Sequence, residues 1–326
     1  MPFVQLTRNS LEMQVSIATV TANPAIDVSA SVDQVLPFHK LRCTHEKRHP
    51  GGGGINIARV LHRWNADVTA IFPAGGITGE LLKQLVDREG IPRCAIDVAG
   101  DTREDITIFE AGSGNQFRFV FPGAALSERE LQACCDALTA ITPGPNIVAT
   151  SGSLPPGAPA GFFARVLSLA KRFGARSVID SSGAALSLGL EEGVYLAKPN
   201  LRELSQLVGR SLTQEAEWLE ASRSLVMAGK AEILTLTLGQ GGALAVSREG
   251  AWRARAPSVQ VVSTVGAGDS FLGAMILRLS HGADIAEALR YAVAAGTAAL
   301  LAPGTELARP AETDHLLARV LVERVG

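Results

Sequence analysis

What this chain lacks narrows its function before any motif is read. Its 326 residues include only 4 cysteines, and no two form a C-x-x-C pair, so neither a disulfide framework nor a sulfur-ligated zinc site is expected. Cys134 and Cys135 are adjacent and poorly placed to chelate one metal together. With Cys43 and Cys94 they read as a reduced, cytoplasmic thiol set. The 6 histidines show no metal-ligand spacing. Charge is muted: 30 Lys and Arg face 32 Asp and Glu, and no segment carries a basic run, which leaves no electrostatic footprint for nucleic acid. Long apolar runs are missing as well. The stretch 291–302 stops at Pro303 and is too short to span a bilayer. Residues 15–21 are apolar, but Glu12 lies just ahead and no basic segment leads in, so they read as a first buried strand and not as a signal peptide. Residues 1–11 show no periodicity and read as a loose tail, with Met13 an alternative start. Aromatic residues make up 5%, and Trp64, Trp218 and Trp252 read as packing.

Glycine, by contrast, is abundant, and its placement is informative. Short apolar runs at 15–21, 67–72, 147–150, 177–180, 195–197 and 233–238 alternate with segments of 3.6-residue period. Ile57, Val60, Leu61 and Trp64 share one helical face, as do Leu272, Met275, Ile276 and Leu279. This rhythm predicts an α/β domain with a mainly parallel sheet covered on both faces. Two stretches break it. Residues 27–46 and 106–121 read as extended, and are expected to form a small antiparallel sheet standing off the main domain.

Ser263-Thr264-Val265-Gly266-Ala267-Gly268-Asp269-Ser270 lies between a strand-like run at 259–262 and an amphipathic helix. Such a strand, glycine turn and helix aim free backbone N–H groups at an anion. Asp269 is then either a base for an attacking hydroxyl or an ordinary first-turn acid on the helix dipole. A dinucleotide-binding G-x-G-x-x-G would need glycine at 271, where Phe271 stands, and no P-loop sequence occurs. A second cluster, Pro50-Gly51-Gly52-Gly53-Gly54-Ile55-Asn56, opens a helix expected over 55–64. It is either a flexible hinge or a place where a ligand or another backbone comes very close. Asn23-Pro24-Ala25-Ile26-Asp27 closes the first strand at its carboxyl edge. Asn200 and Glu203 stand one helical turn apart after Lys198-Pro199, fit either for a metal-bound phosphate or for a helix cap. Thr237-Leu238-Gly239-Gln240-Gly241-Gly242 is a nucleotide shelf or a hairpin, and Ser151-Gly152-Ser153 another post-strand turn.

Taken together and in this order, these segments resemble the ribokinase-like carbohydrate kinases of the phosphofructokinase-B family, from about Val15 to the C-terminus. The resemblance implies a three-layer α/β/α domain over 15–326 with a small β-sheet lid (segments of approximately 28–50 and 104–122), after a tail at 1–14. It implies ATP-dependent phosphorylation of the C1 hydroxyl of fructose 6-phosphate, with tagatose-6-phosphate kinase or 1-phosphofructokinase as alternatives within the family. Outside it, a non-catalytic sugar-phosphate binder would be expected to lack Asp269. By resemblance Asp269 is the base, and Gly266, Ala267 and Gly268 form the anion hole. Asp27, Gly52, Gly53 and Asn56 contact sugar hydroxyls, while Lys40, Arg103 and Ser153 surround the substrate's phosphate. Lys198, Asn200, Glu203, Thr237, Thr264, Gly239 and Gly242 serve ATP and Mg²⁺, with Glu203 on the metal through water. Ser263, Val265, Ala299, Ala302 and Gly304 would surround a K⁺ ion. A homodimer through the lid is implied, expected to cover Phe117, Phe119 and Phe121 or their opposite-face partners. The chain departs from the pattern at Asp105, where relatives carry Asn, and at Ala302 and Glu306 in place of Asn and Arg. Gly53 stands where the 1-phosphofructokinase and tagatose-6-phosphate branches usually carry lysine.

Overall fold

A computed structural model describes residues 15–326, so the expectations for 1–14 and Met13 lie outside the described residues. The first part of the chain runs β1 (Ser16–Val20), β2 (Ala25–Val32), β3 (Thr44–Gly51), α1 (Gly53–Arg63), β4 (Asp67–Ala74), α2 (Gly76–Arg88), β5 (Arg93–Asp97), β6 (Arg103–Glu110) and β7 (Gln116–Phe119). Next come α3 (Glu128–Thr139), β8 (Ile147–Ser151), α4 (Phe162–Arg172), β9 (Arg176–Asp180), α5 (Gly183–Glu191), β10 (Val194–Ala197), α6 (Leu201–Val208) and α7 (Glu215–Met227). The rest is β11 (Ala231–Thr237), β12 (Ala243–Ser247), β13 (Gly250–Arg255), α8 (Ala267–Ser280), α9 (Ile285–Ala299), α10 (Pro310–Leu317) and β14 (Leu321–Arg324).

Ten strands make one sheet in the order β14-β13-β12-β11-β10-β9-β8-β1-β4-β5. From β5 to β11 all neighbours are parallel, and β12, β13 and β14 extend the edge antiparallel. One apolar cluster fills the space under α1, α2, α8, α9 and α10. A second lies under α3, α4, α5, α6 and α7 on the opposite face. The sheet is therefore buried on both sides, as apolar parallel strands require. Helix α8 is buried along most of its length, Leu272, Met275 and Ile276 among the covered residues. No helix among the described residues is long and apolar enough to cross a membrane.

The two stretches that break the rhythm do form a separate four-stranded sheet, β3-β2-β6-β7. It is mixed and not purely antiparallel, because β2 and β6 run parallel from Ala25 opposite Arg103 to Val32 opposite Glu110. The connection between them passes through the main sheet, so no hairpin constrains their direction. Residues 259–262 are not a strand. They follow the loop at 300, with the Val262 amide donating to the Leu300 carbonyl at 2.8 Å.

The glycine run is tight packing, not a hinge. Gly52 has φ +108°, and a Cβ on Gly54 would lie 2.5 Å from Thr21 Oγ1 and 2.9 Å from the Val20 carbonyl oxygen. The run thus lets α1 start directly against the end of β1. Gly54→Ala is expected to cost about 1–3 kcal/mol of overpacking, read as a lowered urea midpoint at unchanged m-value. An unchanged midpoint would show that the β1 end yields easily.

Candidate active site

Parallel strands present their carboxyl ends along one edge, and open α/β sheets bind ligands there. At that edge lie Asn23 after β1, Ser151 at the end of β8, Asp180 at the end of β9 and Lys198 after β10. The small sheet and the N-termini of α1 and α8 close over the same edge.

At the α8 N-terminus Gly266 is left-handed, with φ 76°. The first amide bonded within the helix is that of Ser270, on the Gly266 carbonyl at 2.8 Å. The amides of Ala267, Gly268 and Asp269 are thus left at the positive end of the helix, the arrangement that holds an anion. Asp269 Oδ2 accepts from the Asn56 amide at 2.8 Å, which joins the two glycine motifs. Burial pushes the Asp269 carboxyl up to about 6 and the Asp180 charge adds to this, while Asn56, Lys198 and Arg118 oppose it. A carboxylate held there can take a proton from a bound hydroxyl near neutral pH.

Lys198 is buried and lies 3.0 Å from Asp180 Oδ1. Burial disfavours its charge, but Asp180 outweighs this and holds the ammonium above its usual range. Its Nζ comes within 3.5 Å of where a Gly268 Cβ would sit, so the ammonium stands directly beside the helix N-terminus. Asn200 and Glu203 cap each other reciprocally, at 2.9 and 2.8 Å. One Glu203 oxygen therefore remains for other work, and burial raises its pKa. Thr237-Gly242 is a hairpin turn between β11 and β12, tied to Lys198-Pro199-Asn200 by the Thr237 amide on the Pro199 carbonyl at 3.1 Å. Gly239 and Gly242 supply the positive-φ positions of that turn. Thr264 is exposed on the loop before α8.

On the other side of the cleft, Asp27 on β2 is buried, and burial lifts its carboxyl to about 6, with Arg118 opposing and Asp105 assisting. Gly51, the last residue of β3, lies against its carboxylate, while Gly52 packs on Thr21 and Pro24 and Gly53 on Ser151 and Gly152. Arg103, at the foot of β6, donates to the Phe121 carbonyl at 2.7 Å, the Asn23 carbonyl at 3.1 Å and Asp105 Oδ1 at 3.2 Å. Its Nε is buried without a partner among the described residues. Asn23 Nδ2 donates to Ser153 Oγ at 3.2 Å, so Arg103, Asn23 and Ser153 form one corner. Asp105, the departure from the family's Asn, holds this corner by also accepting the Phe121 amide at 3.1 Å.

Lys40 does not join it. It is exposed in the connection beyond the Ser31–Thr44 pair, at the far end of the small sheet from Asp27. No hydrogen bond or ion pair ties it to the corner among the described residues, and β2 runs about 3.3 Å per residue from Asp27 to the point where that connection leaves the sheet. The loops carrying Ser263, Val265, Ala299, Ala302 and Gly304 do lie side by side. Two of their carbonyls are already engaged, Gly304 by the Ser263 hydroxyl at 2.6 Å and Ala299 by the Ala302 amide at 3.2 Å. Among the described residues no three His, Cys, Asp or Glu side chains cluster as a metal site. Asp180, Arg118 and Asn23 are site members that the sequence reading missed. Only the strand-end position of Asp180 and the motif position of Asn23 signalled them.

Comparison with known proteins finds similarity over most of the chain. The model of the pfkB family of carbohydrate kinases matches residues 15–312. The chain is 43% identical over 305 residues to the ATP-dependent 6-phosphofructokinase isozyme 2 of Escherichia coli, covering 93% of this chain and 98% of that one. It is 30% identical over 309 residues to a Bacillus subtilis 1-phosphofructokinase, covering 95% and 100%. Crystal structures of the E. coli phosphofructokinase-2 in complex with potassium and with fructose-6-phosphate match with TM-scores of 0.89 and 0.87, at 42% and 41% identity. Its tetrameric inhibited form matches at 0.88 and 42%. Each covers 94% of this chain and 99% of its own.

Ionising Asp269 in the folded chain costs stability, because its folded pKa is above the unfolded value of 3.8. The stability is complete below that value and is lost as pH rises through about 6. Asp269→Asn should therefore be more stable than the parent at pH 8 by about 1–3 kcal/mol, with the difference closing below pH ~4. A variant less stable at pH 8 would mean that Lys198 and Asn56 outweigh the burial cost.

Proposed function

The chain belongs to the pfkB family of carbohydrate kinases, and from that premise we propose that it is an ATP-dependent 6-phosphofructokinase, transferring the γ-phosphoryl of ATP to the C1 hydroxyl of fructose 6-phosphate. The observation that carries the substrate assignment is the Arg103 corner. A guanidinium with an unpartnered buried Nε, beside Asn23 and Ser153, suits a phosphate already on the sugar. Gly53 favours this branch over the 1-phosphofructokinases. A Cβ there would fall on the Ser151 hydroxyl and lie 2.9 Å from the Gly152 nitrogen, so a lysine would have no entry.

In this reading Asp27, Gly52, Gly53 and Asn56 hold the sugar hydroxyls, and Asp269 takes the C1 proton as the oxygen attacks. The amides of Gly266, Ala267 and Gly268 and the Lys198 ammonium carry the charge of the moving phosphoryl, usually the largest share of such catalysis. Asn200, Glu203, Thr237, Gly239, Gly242 and Thr264 serve the nucleotide. Glu203 and Asp180 act on each other's charge across this space, a donor set that suits a hard divalent ion, and they would hold Mg²⁺. Bound there, Mg²⁺ would neutralise phosphate oxygens. K⁺ would sit between the loops at 263–265 and 299–304, through the carbonyl lone pairs that remain. The small sheet acts as a lid that excludes water.

Lys40 belongs to this site only if a second copy supplies it. The lid's outer face supports such a dimer: Phe119 and Phe121 are 54% and 49% exposed, and Phe117 is half-covered beside Ile108. Unburied apolar sheet faces of this kind call for a partner.

Three measurements test these assignments. Asp269→Asn should lower kcat at least ~10²-fold, and turnover above a tenth of the parent's would reduce Asp269 to a dipole residue. Arg103→Ala should lower kcat/KM for fructose 6-phosphate by roughly 10–150-fold and leave plain fructose almost unaffected, with tagatose 6-phosphate and fructose 1-phosphate run in parallel. Equal losses on fructose and its 6-phosphate would exclude Arg103 as the phosphate reader. Mixing inactive Lys40→Ala with inactive Asp269→Asn should restore about a quarter of parental activity through hybrid dimers. No recovery, or a monomer in sedimentation, would remove Lys40 from the site.

A further inference from the structure

One turn beyond Asn56 on α1, Arg59 is among the largest fully buried side chains, at 1% exposure. Its guanidinium is divided between two tasks. Nε and Nη2 grip the Glu89 carboxylate at 2.6–2.9 Å, just past the end of α2. Nη1 donates to the Pro50 carbonyl at 3.2 Å and to Asn56 Oδ1 at 3.3 Å. A guanidinium can only donate, so the Asn56 oxygen must face it, and the Asn56 NH₂ is left to face Asp269. A free asparagine could turn either edge toward the carboxylate. In this cleft the oxygen edge would set a lone pair against an anion.

We infer that Arg59, braced by Glu89, is a positioning residue for phosphoryl transfer: it locks the Asn56 amide in the orientation that donates to Asp269. It touches neither sugar nor nucleotide. The inference rests on Asp269 being the base. A buried ion pair alone would not explain the residue, since well-packed apolar groups often serve a core as well or better. What an apolar replacement could not do is decide which edge of Asn56 meets Asp269.

The groups around the base define the pH consequence. Asp269 is faced by Asn56 from α1, Asp180 from β9, Lys198 from the segment after β10, Arg118 from β7 and Asp27 from β2. Arg59 itself is faced by Glu89, by Arg63 on its own helix, by His49 on β3 and by Asp27 on β2. Of the groups around Asp269, Asn56 is the one whose sign depends on orientation. It lowers the Asp269 pKa while it donates and would raise it if turned.

The test is the acid limb of kcat in the full-length enzyme for Arg59→Met, Arg59→Lys, Asn56→Ala and the Arg59→Met/Asn56→Ala double variant. Both Arg59 variants should move the limb upward by about one pH unit, so that at pH 6 turnover falls about fivefold further than at pH 8. Lysine keeps a cation for Glu89 but has no second arm for Asn56, so it carries the test if the methionine variant does not fold. Asn56→Ala should show a raised limb, and adding Arg59→Met should raise it no further. Folded Arg59 variants with an unmoved limb, or a double variant displaced beyond Asn56→Ala, would overturn the inference and make Arg59 a scaffold or a bulk charge. An active Asp269→Asn would remove the base reading and this one together. An inactive Asp269→Asn beside an unmoved limb removes this one alone.

Discussion

The cleft is organised around one electrostatic problem: several buried carboxylates converge on one strand edge, beside the N-terminus of α8. Asp27, Asp180, Glu203 and Asp269 all face a space that water cannot fully screen, and burial raises Asp27 and Asp269 to about 6. Left alone they would repel both one another and a phosphoryl group. Lys198, buried between Asp180 and the α8 N-terminus, answers much of that charge. The helix amides, Arg118 and Asn56 answer the rest. The balance needs strands β9 and β10 adjacent and α8 starting directly above them. The parallel strand order is therefore what makes the charges compatible, and not merely a platform for them.

The small sheet is held over this cleft by polar contacts. Lys47 pairs with Glu306 at 2.7 Å, His49 bonds Thr305 Oγ1 at 2.9 Å, and Gln116 donates to Ser263 Oγ at 3.1 Å. Lys47 is nearly half exposed, and ion pairs of that kind contribute about 0–1 kcal/mol. Gly304 allows the approach, since a Cβ there would lie 2.6 Å from Ser29 Oγ. Together these contacts set the height of the sheet above the loop at 303–306 at small energetic cost. An apolar seal on this face would have bound the sheet far more firmly.

Much of the site was legible because its motifs follow from backbone requirements. Gly266 is left-handed and pressed by Leu307 at the start of α8, and Gly51–Gly54 are small because β1, Asp27 and Ser151 crowd them. The rest depended on tertiary neighbours. Asp180 looked like the end of an ordinary strand until β10 placed Lys198 beside it. Lys40 was grouped with Arg103 by family position, while the β2–β3 connection carries it to the opposite end of the sheet. Residues 259–262 have a strand's composition but meet the loop at 300 instead of a free sheet edge. Trp252-Arg253-Ala254-Arg255 lies in β13, paired between β12 and β14, and its two arginines concealed it. Glu306 looked like a lost basic residue, yet it pairs with Lys47 and Arg309.

The two faces of the small sheet show how one short element serves two environments. Strand periodicity sends Asp27, Ser29 and Ser31 to one face of β2, and Val28 and Ala30 to the other. Register aligns Asp105 and Thr107 of β6 with the polar set, and Ile106 and Ile108 with the apolar set. The same alternation on β7 puts Gln116 and Arg118 toward the cleft and Phe117 and Phe119 away from it. A slip of one residue between β2 and β6 would either turn isoleucines of β6 onto the cleft or lift Asp27 out of it. The parallel pairing from Ala25–Arg103 onward prevents that slip. It is anchored at its foot by Arg103, whose guanidinium ties β6 to Asn23 and to Phe121. The side chain proposed to read the substrate's phosphate thus also anchors the strand pair that carries Asp27.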